Sequence, residues 1–188
     1  MLQNMANAIF ALLIFLALPA YAYQVIGIAD GDTLTLLVDR KPLKIRLSDI
    51  DAPEKKQAFG QRSKESLSNL CWGKDATFKA QTVDRYGRTV ARVTCAGIDV
   101  NRIQVERGMA WVYDRYNTDS NLPSMQTAAR LSRKGLWADK SPMPPWEFRH
   151  SVKQISYQSR PAANEPTCHT GPRGGRFQII NGRKRYGC

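Results

Sequence analysis

The sequence predicts an α+β fold, dominated by a small closed β-barrel against which helices pack. Five short segments alternate apolar and polar residues as strands do, the first three of them consecutively, and three further segments have helical spacing. The 188 residues are 43% hydrophobic and 23% charged, which suits one globular domain with small appendages and excludes a wholly disordered chain. Periodicity alone does not distinguish a barrel from other α+β folds.

The strands are predicted in two groups. Residues 24–50 contain the first three, with a turn at Asp30-Gly31-Asp32, where Asp and Gly favour a tight reversal of the chain. Residues 76–82 and 88–95 are predicted to form a hairpin that is closed by Asp84–Gly87. The barrel is therefore expected to have five strands.

Three helices are predicted from the spacing of apolar residues, at Phe59–Leu70, near 100–107 and at Pro123–Arg133. Gly108 and Gly135 follow the second and the third of them, where Gly commonly ends a helix.

The amino-terminal segment is predicted to be a cleaved signal peptide, residues 1–22. Its ten consecutive apolar residues, about half of a membrane span, precede an Ala-Tyr-Ala cleavage pattern. Residues 1–8 lack Lys and Arg, which is unusual for a signal peptide, and an uncleaved anchor is the alternative. Cleavage would give a secreted or periplasmic protein with no stable membrane insertion.

The rest of the chain divides by composition. Residues 23–140 are predicted to form the main domain, and residues 141–167 a linker or a strap over the surface, because they are polar and begin with three prolines. Residues 168–188 are predicted to form a small basic hairpin with an Asn-Gly turn. This hairpin is expected to be an accessory grip for nucleic acid, with a solvated cationic tail as the alternative.

An exported chain with four cysteines favours disulfides, because its compartment is oxidising. The spacing suggests that Cys71 pairs with Cys95 and Cys168 with Cys188, although four cysteines allow three connectivities.

The chain is strongly basic. It has 28 Lys and Arg against 16 Asp and Glu, a net charge of +12, of which residues 151–188 contribute +6. Such a charge attracts polyanions: nucleic acid, an anionic membrane surface or an acidic polysaccharide. A merely soluble basic surface is the alternative.

Charged residues cluster where predicted strands end. Arg46 lies in an otherwise apolar strand, where a half-buried guanidinium needs an acidic partner. Asp51 and Glu54 follow at the end of that strand, beside Pro53, which ends the pairing. Carboxylates that converge there would form a site for a hard cation such as Ca²⁺.

Three motifs together resemble the staphylococcal nuclease family. They are D-G-D-T at 30–33, R-L-x-x-I-D-x-P-E at 46–54 and D-x-Y-G-R at 84–88, in the family's order. The resemblance covers about residues 24–138. Further agreement comes from Asp99–Asn101, Gly108–Ala110 and Arg133–Trp137.

The resemblance implies a five-stranded OB-type barrel with three helices, which cleaves phosphodiester bonds of DNA and RNA with Ca²⁺. It implies that Asp32 and Asp51 bind the metal by their carboxylates and Ala52 by its backbone carbonyl. Glu54 would be the general base that activates the attacking water.

The resemblance also implies that Arg46 and Arg88 hold the phosphate, which suits their forked, permanently charged guanidinium groups. Two nearby acids have other expected roles. Asp30 is expected to shape the turn or to support the ligands, and Asp49 to face the solvent.

Four residues match positions at which members of this family contact a bound nucleotide. Arg85 and Tyr86 are expected to contact its phosphates, and Tyr113 and Tyr116 to lie near its base, where stacking is possible. Trp111 occurs in the same segment, and core packing is at least as good an explanation for it.

The sequence thus predicts an exported, monomeric, Ca²⁺-dependent nuclease that acts on DNA and RNA. The alternative is a non-catalytic OB-type module that binds nucleic acid without cutting it. A third class, a cationic protein directed at envelope surfaces, gives no reason for the clustered acids.

Overall fold

The computed structural model describes residues 22–158 and 167–188, so the predicted signal peptide, apart from its last residue, lies outside the described residues. In chain order the strands are β1 (Tyr23–Ile28), β2 (Thr33–Val38), β3 (Lys41–Leu47), β4 (Ile50–Asp51), β5 (Asp75–Val83), β6 (Thr89–Cys95), β7 (Ile98–Asp99), β8 (Trp111–Val112), β9 (His169–Thr170), β10 (Arg176–Ile180) and β11 (Arg183–Tyr186). The helices are α1 (Gly60–Cys71), α2 (Val100–Glu106), α3 (Leu122–Leu131) and α4 (Pro145–Gln158), with a 3-10 turn at Gly135–Ala138.

The five long strands β1, β2, β3, β5 and β6 close into a barrel, which confirms the predicted fold. The order β3-β2-β1-β5-β6 is antiparallel throughout, and a parallel pairing of β3 with β6 closes it. In that pairing Arg46 lies opposite Val90. Barrel closure therefore brings the end of β3 next to the start of β6, where Arg88 lies.

The core of the barrel follows from the alternation of the strands. Leu34, Leu36, Ile45, Leu47 and Val93 are fully buried, on strands whose intervening side chains are mostly less buried. Burial of each such side chain contributes roughly 1.5–3 kcal/mol to folding, so this inner face stabilises the barrel.

A disulfide ties α1 to the barrel. Cys71, the last residue of α1, is bonded to Cys95, the last residue of β6, and both side chains are fully buried. A second disulfide joins Cys168 to Cys188. Both pairs are the ones that the spacing suggests.

Within the predicted linker or surface strap at 141–167, residues 159–166 lie outside the described residues, and residues 145–158 form helix α4, which the sequence analysis did not predict. Pro145 lies in its first turn, where a missing N–H group costs nothing. Trp146 packs edge-on against Trp111, with ring centroids 5.8 Å apart. This packing, which composition does not reveal, holds the helix against the main domain.

The carboxyl-terminal unit is a three-stranded sheet of order β11-β10-β9. Asn181 and Gly182 connect β10 to β11, and both have positive φ angles, 51° and 75°. Such a turn matches the twist of a tight hairpin and favours these two residue types.

Within residues 22–158 and 167–188, no helix has the length and apolar character needed to cross a membrane.

We expect the two disulfides to differ in their effect on the barrel. The double substitution Cys71→Ala and Cys95→Ala should lower its free energy of unfolding by about 3 kcal/mol, because the bond constrains the unfolded chain. The pair Cys168→Ala and Cys188→Ala is the control, since it opens a loop of similar separation, 20 against 24 residues, outside the barrel. Denaturant unfolding followed by tryptophan fluorescence measures both, and equal losses would contradict this expectation.

Candidate active site

Arg46 lies at the centre of the candidate site. Its Nη1 donates to the carbonyl oxygens of Leu47 and Ile50, at 3.2 and 3.0 Å. Its Nη2 donates to Asp51 Oδ1 at 2.8 Å and lies 3.4 Å from Asp32 Oδ2. Burial would lower the pKa of this guanidinium, but the charges of Asp32 and Asp51 raise it above its ordinary value. The acidic partners expected for a half-buried arginine are therefore present.

Asp32 and Asp51 form a buried carboxylate pair, 6% and 1% exposed. Asp32 accepts hydrogen bonds from the Thr33 hydroxyl at 2.9 Å and from the backbone N–H of Ala52 at 3.0 Å. Burial raises the pKa of the Asp51 carboxyl, as does the charge of Asp32, while Arg149 and Arg46 oppose the rise. The structure thus brings the carboxylates of Asp32 and Asp51 together around Arg46 and places Ala52 beside Asp32 through its N–H group.

Arg149 of α4 is a site residue that the sequence analysis missed. Its Nη2 lies 2.7 Å from Asp51 Oδ2, and its Nη1 donates to Glu54 Oε1 at 2.7 Å. Burial would lower its pKa, but the hydrogen bonds to Asp51 and Glu54 raise it. No sequence signal identified it, because its place one helical turn after Trp146 has meaning only once α4 and its packing are known.

Glu54 is held in a short turn rather than in a strand. Its backbone N–H donates to Gln57 Oε1 at 3.0 Å, and the Gln57 side chain donates to the carbonyl of Met143 at 2.7 Å. The Glu54 side chain is 40% exposed, so water can reach the carboxylate that Arg149 contacts.

The β5–β6 turn gathers three of the predicted residues. Asp84 accepts from the backbone N–H groups of Tyr86 and Arg88 and from the Arg88 guanidinium. The guanidinium groups of Arg85 and Arg88 lie 5.1 and 5.5 Å from the centre of the Tyr86 ring, which is 70% exposed. Arg88 Nη1 also reaches Thr33 Oγ1 at 3.4 Å, which places this cationic cluster beside the carboxylate pair.

The aromatic residues of the 111–116 segment differ in burial. Trp111 is buried and contacts Trp137 and Trp146, so its role is packing. Tyr113 stacks on Trp146 with centroids 5.5 Å apart and planes at 5°. Tyr116 is 56% exposed and meets Tyr113 edge-on at 4.9 Å, so of these two it offers the more accessible ring.

Asp49 corrects the expectation that it faces the solvent, because it is 3% exposed. Its backbone has a left-handed φ of 65°, which turns the side chain inward. The carboxylate accepts from the backbone N–H and the hydroxyl of Thr118, at 2.7 and 2.8 Å. Buried Asn101 supports the same loop from α2, donating to the carbonyl of Ser48 at 2.8 Å and accepting from Val93 N–H at 3.1 Å.

The Asp30–Asp32 turn is fixed from both ends. Asp30 Oδ1 accepts from the backbone N–H of Asp32 at 3.1 Å, the turn-shaping role expected of it, and burial together with the charge of Asp32 raises its pKa. Buried Gln104 donates to the carbonyl of Gly31 at 2.7 Å. A Cβ atom at Gly31 would lie 1.8 Å from Ser63 Oγ, so only glycine permits this close approach to α1.

The donors at the site fit a hard cation in their chemistry. Among the described residues no group of three or more His, Cys, Asp or Glu is arranged around a metal position. Two buried carboxylates and a backbone carbonyl nevertheless provide the oxygen ligands that Ca²⁺ prefers, and water or phosphate oxygens can complete its shell. The residues present are therefore compatible with Ca²⁺, bound by few protein ligands.

Comparison with known proteins gives consistent matches. Residues 44–139 match the family described as Staphylococcal nuclease homologue, so α4 and Arg149 lie beyond the match. An uncharacterized endonuclease of Escherichia coli O157:H7 is 45% identical over 128 residues, covering 68% of this chain and 84% of the relative. An uncharacterized endonuclease of Haemophilus influenzae is 41% identical over 161 residues, covering 81% and 90%. A micrococcal nuclease of Shigella flexneri is 37% identical over 161 residues, covering 78% and 92%.

The substitution Asp49→Ala should lower the free energy of unfolding by about 1–3 kcal/mol more than Asp39→Ala does, because it leaves the buried Ser48 hydroxyl and the Thr118 N–H without their acceptor. Asp39 is the matched control, since it too has a left-handed φ, 48° against 65°, but is exposed. Any strain of alanine in that conformation is thus common to both variants. Urea unfolding at neutral pH gives the difference, and equal losses would show that the Asp49 hydrogen bonds contribute nothing.

Proposed function

Because the chain belongs to the staphylococcal nuclease family, and is thus a nuclease of the hydrolase class, we propose that it is an exported, Ca²⁺-dependent enzyme that hydrolyses phosphodiester bonds of DNA and RNA. The observation that carries the proposal is the convergence of Asp32 and Asp51 on Arg46, at 3.4 and 2.8 Å. The two disulfides support export, because they require an oxidising compartment.

Asp32 and Asp51, with the backbone carbonyl of Ala52, would hold the Ca²⁺ ion. When bound, the ion would polarise a phosphoryl oxygen and neutralise part of the charge that repels an attacking water. The buried Asp32–Asp51 pair suits this role, because a divalent cation offsets both the repulsion between the two carboxylates and their loss of hydration.

Glu54 would act as the general base. Its carboxylate is 40% exposed, so a water molecule can approach it and lose a proton to Oε1 or Oε2. The turn that fixes its backbone through Gln57 limits the directions in which the carboxylate can point. For a proton to reach Oε1, the Arg149 contact with that oxygen has to loosen.

Arg46 and Arg88 would bind the phosphate and stabilise the charge that develops on it. Each guanidinium is oriented by a carboxylate, Arg46 by Asp51 at 2.8 Å and Arg88 by Asp84 at 2.7 Å. Donors fixed before the reaction stabilise a transition state more than mobile donors, because they need no reorganisation.

Four further residues would contact the nucleotide. Arg85 and Tyr86 form the exposed part of the β5–β6 turn and can reach phosphates outside the reacting one. Tyr113 and Tyr116 offer aromatic surfaces for a base, Tyr116 being the more exposed in this pair.

The first test is cleavage of single- and double-stranded DNA and of RNA by the oxidised chain without its predicted signal peptide. We expect cutting with Ca²⁺ and none with a chelator. The substitution Glu54→Gln should lower the rate by about 10²–10⁴-fold, the usual contribution of a general base. Glu65→Gln is the control, because it removes the same charge from an exposed position on α1 and should leave the rate unchanged.

Tight binding of nucleic acid without cutting, under any divalent ion, would contradict the proposal and indicate the non-catalytic binding module instead. Cutting that persists in chelator would contradict the Ca²⁺ dependence alone.

A further inference from the structure

The carboxyl-terminal sheet presents an arginine face. Side chains alternate along a strand, and cross-strand partners point to the same side. Gln178 pairs with Arg185 and Ile180 with Arg183, so these side chains share one face with Arg176. All three arginines are exposed. We call these three residues (Arg176, Arg183 and Arg185) the arginine face.

The opposite face carries the aromatic residues. Phe177 pairs with Tyr186, at 5.8 Å between ring centroids, and with His169 at 5.5 Å. Lys184 lies over the Phe177 ring at 4.6 Å, so its charge belongs to this second face. The small sheet is thus divided between a cationic side and an aromatic side.

All of the charged side chains in the carboxyl-terminal unit are cationic. Residues 167–188 contain five Lys and Arg and no Asp or Glu, so no carboxylate side chain of the unit neutralises the arginine face. Guanidinium forks bind phosphate oxygens bidentately, and duplex DNA offers a negative charge about every 1.7 Å of its length. The complementary ligand is a chain of phosphates.

We propose that the arginine face is a second nucleic-acid binding site, which holds the phosphate backbone of the substrate close to the active site; this rests on the proposed nuclease function. Nine chain steps separate Gln158 from Thr167. They span at most about 32 Å. This tether keeps the arginine face near the main domain, so one long nucleic acid can contact both sites. A tethered second contact strengthens binding without any new contact at the first.

The test is a salt series of DNA binding in chelator, with the full mature chain. The triple substitution Arg176→Gln, Arg183→Gln and Arg185→Gln should weaken binding of a 30-base-pair duplex. It should also flatten the slope of log affinity against log salt by up to about 0.9 for each lost phosphate contact.

Neighbouring single variants form the matched control. Arg185→Gln and Lys184→Gln each remove one charge from adjacent positions of β11, but from opposite faces. We expect only the first to flatten the slope. Unchanged DNA affinity and an unchanged slope in the triple variant would overturn the proposal. So would a variant that binds DNA as the parent does but no longer binds anionic phosphatidylserine vesicles in a parallel flotation assay.

A second readout separates this proposal from the proposed function. Cleavage of a dinucleotide, whose single phosphodiester bond cannot contact both sites at once, should be equal in the parent and the triple variant. Absence of cleavage in the parent would reject the nuclease function, whereas the salt slopes would still decide the role of the arginine face.

A different observation concerns α4. Arg149 contacts Asp51 Oδ2 and Glu54 Oε1, both at 2.7 Å, and Asp51 Oδ1 at 3.3 Å. The first two contacts engage an oxygen of a proposed metal ligand and an oxygen of the proposed base. Ca²⁺ binds oxygen directly, at 2.3–2.6 Å, so a guanidinium on the same oxygen competes with it in space and in charge.

We infer that Arg149 is an internal cation which competes with the divalent ion for Asp51, so that α4 sets the metal affinity of the active site; this too rests on the proposed function. Asp51 keeps Arg46 as a partner when Arg149 is removed, which protects the buried carboxylate from being left without a cation. Loss of Arg149 should therefore favour the metal without unfolding the site.

Calorimetric titration with Ca²⁺, without substrate, tests this inference. Arg149→Gln should bind Ca²⁺ up to about fivefold more tightly than the parent, the order expected on losing a partly exposed ion pair. Lys140→Gln is the control, because it removes the same charge from an exposed position before α4 and should bind as the parent does. Trp146, stacked on Tyr113, gives a second readout, since its fluorescence should respond to Ca²⁺ if Arg149 leaves the carboxylates.

Unchanged or weaker Ca²⁺ binding in Arg149→Gln would overturn the inference while leaving the proposed function intact. If neither the parent nor Arg149→Gln binds Ca²⁺, both the inference and the proposed metal dependence are overturned.

Discussion

The shared arginine at the barrel closure is the interaction on which the rest of the site depends. Arg46 lies in the parallel β3–β6 pairing that closes the barrel, and its guanidinium contacts both Asp32 and Asp51. Two buried carboxylates repel each other and lose hydration, so they remain together only around a common cation. The antiparallel β2–β3 pairing sets Arg46 opposite Thr33, next to Asp32, and the parallel β3–β6 closure adds Arg88 at the same end of the barrel.

Local patterns explain why much of the architecture was predictable. Alternation located the strands, and the resemblance to the nuclease family singled out the closed barrel among α+β folds. The acidic partner expected of Arg46 follows within a few residues of it, as Asp51 does. Asp49 shows the limit. Its place in the motif suggested a solvent-facing side chain, but a left-handed φ of 65° turns it toward Thr118, 69 residues later in the chain. Neither the backbone angle nor so distant a partner is encoded in the local pattern.

Helix α4 was not predicted for a related reason. The prolines at its start and its polar residues suggested a linker, although Phe148, Val152 and Ile155 recur at helical spacing. A helix of this length derives most of its stability from tertiary packing rather than propensity. Here that packing is Trp146 against Trp111 and Tyr113, in segments far apart in the sequence. Arg149 reaches Asp51 across 98 residues only because this contact holds the helix in place.

The ion pairs at the site orient the arginine side chains more than they stabilise the fold. In a buried ion pair, the loss of hydration offsets much of the attraction between the charges, so such pairs are weak evidence for a stable fold. In this chain each pairing also fixes a direction: Asp51 orients Arg46, and Asp84 orients Arg88. A phosphate that approaches the barrel end thus meets guanidinium groups already aimed by carboxylates, in a protein whose net charge of +12 draws it there. The stability lost in burying these charges is exchanged for cations that need not reorganise when substrate binds.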